Sequence, residues 1–388
     1  VARFAWNWGL ATWNQKYLAG EKGMTGFGLV KEFNRTKHQK FPWTSEVSKW
    51  APQKAIQNLG DAFVSFFQKK SKRPRFKKRG VARDSFYLEC KHFKVDGWKL
   101  WIPKLGWVKM TQALRFPGTP KSVTISREGD SWFASFSIEL PESYVYPHKC
   151  ETQASVGVDL GLTTLATMSK PLQSTGETKL PGPKALRSAT RKLRRANRAV
   201  TRKVKGSRNV RKAVVKLSRA HVQVKRIRQD AIHKLTTQLV KQFSLIGIER
   251  LNVRGMMRNR KLARSVSDAA FFEIRRQLEY KSKLSGSEVV VANQWFPSSK
   301  MCHCCGHIYK ELTISEREWE CSACHARHDR DENAAKNLEW FAQMFVALGH
   351  RETLNACGEE IRPQSLHALR HPSVKQESMQ NLELELTL

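Results

Sequence analysis

Two Cys-x-x-Cys pairs, Cys302/Cys305 and Cys321/Cys324, are followed at once by Asp329-Arg330-Asp331-Glu332-Asn333-Ala334-Ala335. Four thiols in this pattern can hold one tetrahedral zinc, and thiolates favour zinc over hard cations. Beyond the acidic run, Leu338, Trp340, Phe341, Phe345 and Leu348 recur at helical spacing. A metal knuckle therefore fixes the chain where an aspartate enters a helix. His303, His307, His325 and His328 lie nearby, but four thiols already complete a zinc shell, so none is expected as a ligand.

Charge narrows the partners. Lys and Arg outnumber Asp and Glu by 69 to 34 over 388 residues, a net charge of +35. Such a surplus repels itself unless a polyanion neutralises it. A long nucleic-acid contact, built from many phosphates, is expected. Of the eight cysteines, Cys304 sits inside the first pair, and Cys90, Cys150 and Cys357 are isolated. That is a zinc pattern in a reducing compartment, not a secreted disulfide framework. No apolar run reaches membrane-spanning length and no signal peptide is visible, so no membrane partner is expected. The chain begins at Val1, inside what reads as a helix, and a truncated start is expected.

Along the chain, residues 2–18 and 45–68 place aromatic and aliphatic residues at helical spacing and read as a small helical unit. Lys69 to Arg83 is a basic run broken by Pro74 and Gly80. From Ser85 to Leu140, short runs of aromatic and branched residues alternate with turns at Asp96-Gly97 and Gly129-Asp130, which predicts a small barrel or bent sheet. Val156-Gly157-Val158-Asp159-Leu160-Gly161 reads as a buried strand interrupted by one carboxylate. Lys184 to Lys234 is helical and basic throughout, with Asp230 its only acid and a break at Gly206-Ser207. Nucleic-acid contact is expected there. Phe243 to Glu249 is a second apolar strand ending in a carboxylate; a helix over 266–283 and a strand at Val289–Val291 follow. Residues 361–388 read as a mostly disordered tail.

Three carboxylates stand out by context: Asp159 in a strand, Glu249 at a strand end, Asp331 at a helix start. Together they suit two Mg²⁺ ions, or Mn²⁺, because hard cations take oxygen ligands and a metal pair stabilises both attacking and leaving oxygens of a phosphodiester. Singly, Asp159 and Glu249 read equally as structural acids and Asp331 as a helix N-cap. Asp331 is preferred to Asp329 because it directly precedes the helix start, with Asp329 and Arg330 in support.

At these residues the chain resembles TnpB, the transposon-encoded RNA-guided DNA nucleases, which are similar to compact type V CRISPR effectors. The resemblance rests on Val156 to Gly161, Ile246-Gly247-Ile248-Glu249-Arg250-Leu251, Pro297-Ser298-Ser299-Lys300, the Cys pairs and His328 to Ala335, and runs through nearly the whole chain. It implies a multidomain α+β protein. Residues 1–72 would be a helical recognition lobe and 73–150 a β-barrel wedge domain. A ribonuclease H-like (RuvC) nuclease domain would span 151–297 and 328–348, with a zinc-ribbon insertion at 298–327 that helps load the target strand, before a mostly disordered tail at 349–388. It implies Asp159, Glu249 and Asp331 as metal-binding acids, and a guide RNA from the transposon end, one protein per guide. The target would be double-stranded DNA beside a short motif, with Lys49 and Gln53 reading that motif. A bacterial, cytoplasmic, nucleoid-associated location goes with it. Family members begin with a β-strand before the equivalent of Ala2-Arg3-Phe4, so this chain's wedge is expected to lack one. Three other readings stay open: an RNA-guided repressor that does not cut, a zinc-ribbon DNA-binding accessory protein, and a DNA-joining transposase. The last usually orders its acids Asp, Asp, Glu, whereas this chain reads Asp, Glu, Asp.

Overall fold

The computed structural model describes residues 1–349 except 22, 81, 83, 146–149, 151 and 314. The expected tail at 361–388 lies outside the described residues. The chain divides into two units, Val1–Tyr144 and Val145–Leu388.

The first unit opens with α1 (Ala2–Leu18), α2 (Gly26–Lys40) and α3 (Trp50–Phe67). Their shared core is aromatic: Trp13 stacks on Phe63 with ring centroids 3.9 Å apart, and Phe33 is buried. The β part follows as β1 (Ser85–Glu89), β2 (Lys94–Asp96), β3 (Lys99–Ile102), β4 (Gly106–Lys109), β5 (Thr119–Glu128) and β6 (Ser131–Glu139). It forms two three-stranded sheets, ordered β1-β5-β6 and β2-β3-β4. Gly97 and Gly129, both at positive φ, sit in the β2–β3 and β5–β6 turns, where glycine avoids the steric cost of a side chain. Leu88, Phe93, Leu100, Ile102, Val123 and Ile125 fill the common core.

The second unit contains β7 (Ser155–Asp159), β8 (Ala166–Met168), β9 (Lys179–Leu180), α4 (Ala185–Thr201), α5 (Arg208–Gln242), β10 (Leu245–Glu249), α6 (Val253–Arg258), α7 (Ala263–Ala269), α8 (Phe271–Ser285), β11 (Glu288–Ala292), β12 (Glu318–Glu320), β13 (Arg327–Asp329) and α9 (Arg330–Ala347). Five strands form one sheet in the order β11-β10-β7-β8-β9. β7, β10 and β11 run parallel, while β8 and β9 continue as an antiparallel meander. The break at Gly206-Ser207 is where expected, and the Ser207 side chain accepts the Val210 N–H to start α5. The single helix expected over 266–283 is instead two, α7 and α8, split at Ala270, whose φ of 54° cannot continue a right-handed helix.

Alternation along the strands divides the second unit's core. Val156, Val158, Ile246 and Ile248 face α5 and α8, joining Leu235, Leu239, Ile274 and Leu278. Gly157 and Gly247 face the other way, onto α9. They are register partners on adjacent strands. A Cβ at 157 would collide with the Ala335 carbonyl, and one at 247 with the Leu338 carbonyl. The missing side chains let the helix backbone lie directly on the sheet.

Candidate active site

Side chains two apart on a strand share a face. Asp159 and Glu249 therefore follow Gly157 and Gly247 onto the α9 side, at the C-terminal ends of neighbouring parallel strands. Their carboxyls lie within hydrogen-bond reach of each other. Burial pushes Asp159 well above the usual carboxylate range, and the negative charges of Glu249 and Asp331 push in the same direction. Burial raises Glu249 to about 7, although Arg330 and the Asp159 hydrogen bond pull the other way. Asp331, in the first turn of α9, adds its charge to Asp159, but the three acids do not bring their oxygens within 4.8 Å of one another.

The N-cap of α9 is Asp329, not Asp331. Asp329 Oδ1 accepts the backbone N–H of both Asp331 and Glu332 at 3.0 Å, and its other oxygen pairs with Lys179 Nζ at 2.8 Å. Lys179 also reaches Glu332 at 2.9 Å. With Asp329 committed to the cap and this lysine, Asp331 is the first-turn aspartate whose charge reaches Asp159. The cap reading of Asp331 is thus set aside, because Asp329 caps the helix.

Cys302, Cys305, Cys321 and Cys324 bring their sulfurs within 4.8 Å of one another. The Cys302–Cys324 and Cys305–Cys321 distances are both 3.6 Å. A tetrahedral zinc with Zn–S bonds of about 2.3 Å sets its sulfurs roughly 3.8 Å apart, so the cluster is compatible with zinc. Burial pushes the Cys302 thiol up. Burial also opposes ionisation of Cys321, but the Cys324 and Ala323 backbone N–H groups and neighbouring thiols outweigh it and bring that group to about 7. His328 Nε2 lies 3.0 Å from Cys302 Sγ, and Cys302, Cys304 and His328 make a second, overlapping group of donors.

The knuckle and the acid-bearing helix are latched together. Asn333 and Asn337 are buried one turn apart on α9. Asn333 Nδ2 donates to the Met301 carbonyl at 2.7 Å, and its Oδ1 accepts the His303 N–H at 3.0 Å. Asn337 Nδ2 donates to the carbonyls of Ser298 at 2.8 Å and Met301 at 2.5 Å. The knuckle also reaches the acids directly, through Arg317 Nη1, 3.3 Å from Asp331 Oδ1. Sequence reasoning missed Arg317, a basic residue in the loop between the Cys pairs. It also missed the two asparagines, whose signal was amide side chains four apart on an otherwise apolar helix face.

In the first unit, Lys49 is exposed at the N-cap of α3, its Nζ 5.9 Å from the Trp50 ring centroid. Gln53 is half-buried one turn on. A cleft of about 590 Å³ opens nearby between Arg3, Ser48, Lys54, Tyr87 and Lys104; neither Lys49 nor Gln53 lines it.

Residues 135–260 match the family model OrfB_IS605, described as "Probable transposase", and residues 271–338 match the Cas12f1-like TNB domain. A Streptomyces pristinaespiralis protein named "Putative RNA-guided DNA endonuclease" is 40% identical over 88% of this chain and 81% of its own length. The Escherichia coli protein "Putative RNA-guided DNA endonuclease InsQ" is 31% identical over 93% of this chain and 89% of its own. Among solved structures, Cas12f1 in complex with its guide RNA and target DNA superposes with a TM-score of 0.51 at 14% identity, covering 87% of this chain and 80% of that one. That match speaks for the fold, and the sequence relatives for descent: the chain belongs to the TnpB family of transposon-encoded proteins, to which its curated relatives named as RNA-guided DNA endonucleases also belong.

Proposed function

We propose that this protein is an RNA-guided DNA endonuclease of an insertion-sequence transposon, cutting DNA beside a short flanking motif. The observation that carries the reading is the pairing of Asp159 with Glu249 at adjacent strand ends, with the charge of Asp331 on α9 reaching Asp159, inside a chain whose relatives carry that activity in their names. Base pairing with the guide reads sequence, and the protein reads the motif and the duplex shape.

The second unit acts as the nuclease, with a ribonuclease H-like (RuvC) fold. An antiparallel meander continued by parallel strands, with acids at the strand ends, supports this. The helices and two sheets of the first unit serve as recognition lobe and wedge, and Lys49 and Gln53 read the flanking motif. Burial and mutual repulsion make the acids poor sites for bare negative charge, which fits them to share divalent cations. When bound, two Mg²⁺ ions would activate water and stabilise the departing 3′ oxygen. Asp159 and Glu249 would hold the ions from the rigid strand ends, and Asp331 would contribute from α9. The four cysteines would hold one structural zinc, and Met301 and His303 beside them form the base on which α9 is latched. The location that goes with this function is the bacterial cytoplasm, at the nucleoid.

The test is to purify the full chain, sequence the RNA that accompanies it, and supply that complex with Mg²⁺ and duplex DNA complementary to the guide segment. Cleavage confined to matched targets beside one motif is expected. Absence of accompanying RNA, or cutting indifferent to target match, would overturn the reading.

A further inference from the structure

Lys179 is not one of the site's acids, yet it stands in the same row of the sheet as Asp159. Asp159 on β7 pairs with Thr167 on β8, and Thr167 pairs with Lys179 on β9. Residues directly opposite one another on neighbouring strands share a face. Lys179 therefore emerges on the α9 side, as Asp159 does, with Thr167 buried between them. Strands lie about 4.8 Å apart, so the two ends of this row are roughly 10 Å from each other. β9 is the last strand of the sheet and has two residues, Lys179 and Leu180. Its backbone is tied inward all the same. Met168 donates its N–H to the Thr178 carbonyl at 2.8 Å, and Leu165 donates to the Leu180 carbonyl at 2.9 Å. The lysine thus projects from a fixed point.

Its ammonium meets the start of α9. Nζ lies 2.8 Å from Asp329 Oδ2 and 2.9 Å from Glu332 Oε1, the residues on either side of the first-turn pair Arg330-Asp331. The other oxygen of Asp329 accepts the Asp331 N–H at 3.0 Å. A continuous chain of contacts therefore runs from the row holding Asp159, through Lys179 and the Asp329 carboxylate, to the backbone of Asp331. The tie sits where the helix needs one. The close approach of α9 to the sheet begins at Ala335, whose carbonyl fills the space over Gly157. Asp331 lies a full turn ahead of that contact, in the part of a helix that frays most readily. Arg317 meets the Asp331 side chain from the knuckle at 3.3 Å, while Lys179 holds the same turn from the sheet.

We propose that Lys179 is a positioning residue for the metal centre, setting Asp331 against Asp159 through the Asp329 cap. The proposal rests on the metal-dependent nuclease reading and adds to it a side chain that touches neither ion nor substrate.

The test uses the full chain with its copurifying RNA, as wild type, Lys179→Gln, Lys179→Arg, Asp331→Ala and the Lys179→Gln/Asp331→Ala double variant. Mn²⁺ binding to each complex is titrated by electron paramagnetic resonance, with the Asp159→Ala complex subtracted to remove ions held by the RNA. Cleavage of matched duplex DNA is followed against Mg²⁺ concentration. Lys179→Gln should weaken Mn²⁺ binding, and raise the Mg²⁺ needed for half-maximal cleavage, by about tenfold or more, the usual effect of removing a group that orients a metal ligand. The rate at saturating Mg²⁺ should stay within about twofold, as for a loss confined to ground-state metal binding. Lys179→Arg, which keeps the charge, should recover most of the loss. In the Asp331→Ala background, Lys179→Gln should change Mn²⁺ affinity no further, because the lysine acts through that acid. Equal weakening in both backgrounds would mean that the lysine merely holds the fold together and would overturn the proposal. An unchanged metal dependence in Lys179→Gln would overturn it as well. Wild-type Mn²⁺ binding no greater than that of Asp159→Ala would instead remove the metal-centre reading, and this proposal with it.

Discussion

Gly157 and Gly247 stand opposite one another on adjacent parallel strands, and α9 lies across the pair with the Ala335 and Leu338 carbonyls where side chains would otherwise be. Two residues further along each strand come Asp159 and Glu249. The same contact that seats the helix thus sets how close Asp331 comes to them. Ala at 157 or 247 must lift α9, a form of overpacking that costs about 1–3 kcal/mol. Denaturant unfolding of Gly157→Ala should show that loss, and cleavage should fall more than stability does. Wild-type values for both would show that the close approach is dispensable.

Asn337 is fully buried and satisfies the carbonyls of Ser298 and Met301. Its removal takes the 2.8 Å donor from the Ser298 carbonyl, at about 1–3 kcal/mol, while the Met301 carbonyl keeps the Asn333 amide. Asn337→Ala should be destabilised by about 1–3 kcal/mol and should lose zinc more readily to a chelator, because the knuckle is left with only the Asn333 half of its footing on α9. Zinc release measured with a colorimetric chelator checks this; unchanged release would uncouple knuckle from helix.

Burial raises Glu249 to about 7, so below that pH its proton competes with a metal ion. Apparent Mg²⁺ affinity should fall as pH drops from 8 to 6, and the inflexion of the cleavage rate should move to lower pH as Mg²⁺ is raised. Titrations of rate against Mg²⁺ at several pH values provide the check. An inflexion indifferent to metal concentration would point to another group.

Lys281 is 4% exposed and donates to the His233 carbonyl and the Thr236 and Thr237 hydroxyls at 2.7–3.0 Å. Burial nevertheless lowers it from 10.5 to about 8. Between those values the unfolded chain binds the extra proton and the folded chain does not, so stability rises as pH increases through that window. At lower pH the folded state carries the cost of a buried ammonium. Relative to Lys281→Met, the wild type should gain stability from pH 8 to 10.5, by up to about 3 kcal/mol. Parallel stability curves for the two proteins would contradict this.

The sequence made legible what depends on local pattern. The break at Gly206-Ser207, the glycine turns at 97 and 129 and the strand ending in Glu249 all follow from residues near one another, whereas the first acid strand stops at Asp159 rather than running on to Gly161. The Cys-x-x-Cys pairs likewise announced their cluster. What it hid depends on packing. α2 was missed because Leu29, Val30 and Phe33 make only a thin apolar stripe in a polar segment. β8 and β9 were missed because strands of three and two residues carry no alternation to read. Gly157 and Gly247 read as ordinary strand residues until α9 lay on them, and Arg317 as loop charge until the knuckle turned it toward Asp331.

The most direct test of the acid site compares Asp159→Ala, Glu249→Ala and Asp331→Ala in one cleavage assay with the copurifying RNA, Mg²⁺ and matched duplex DNA, alongside RNA affinity. Each variant should lose cleavage by at least about a thousandfold, equivalent to roughly 4 kcal/mol of transition-state stabilisation, while RNA affinity stays within about twofold. Near-wild-type cleavage by any one of them would contradict a site built from all three.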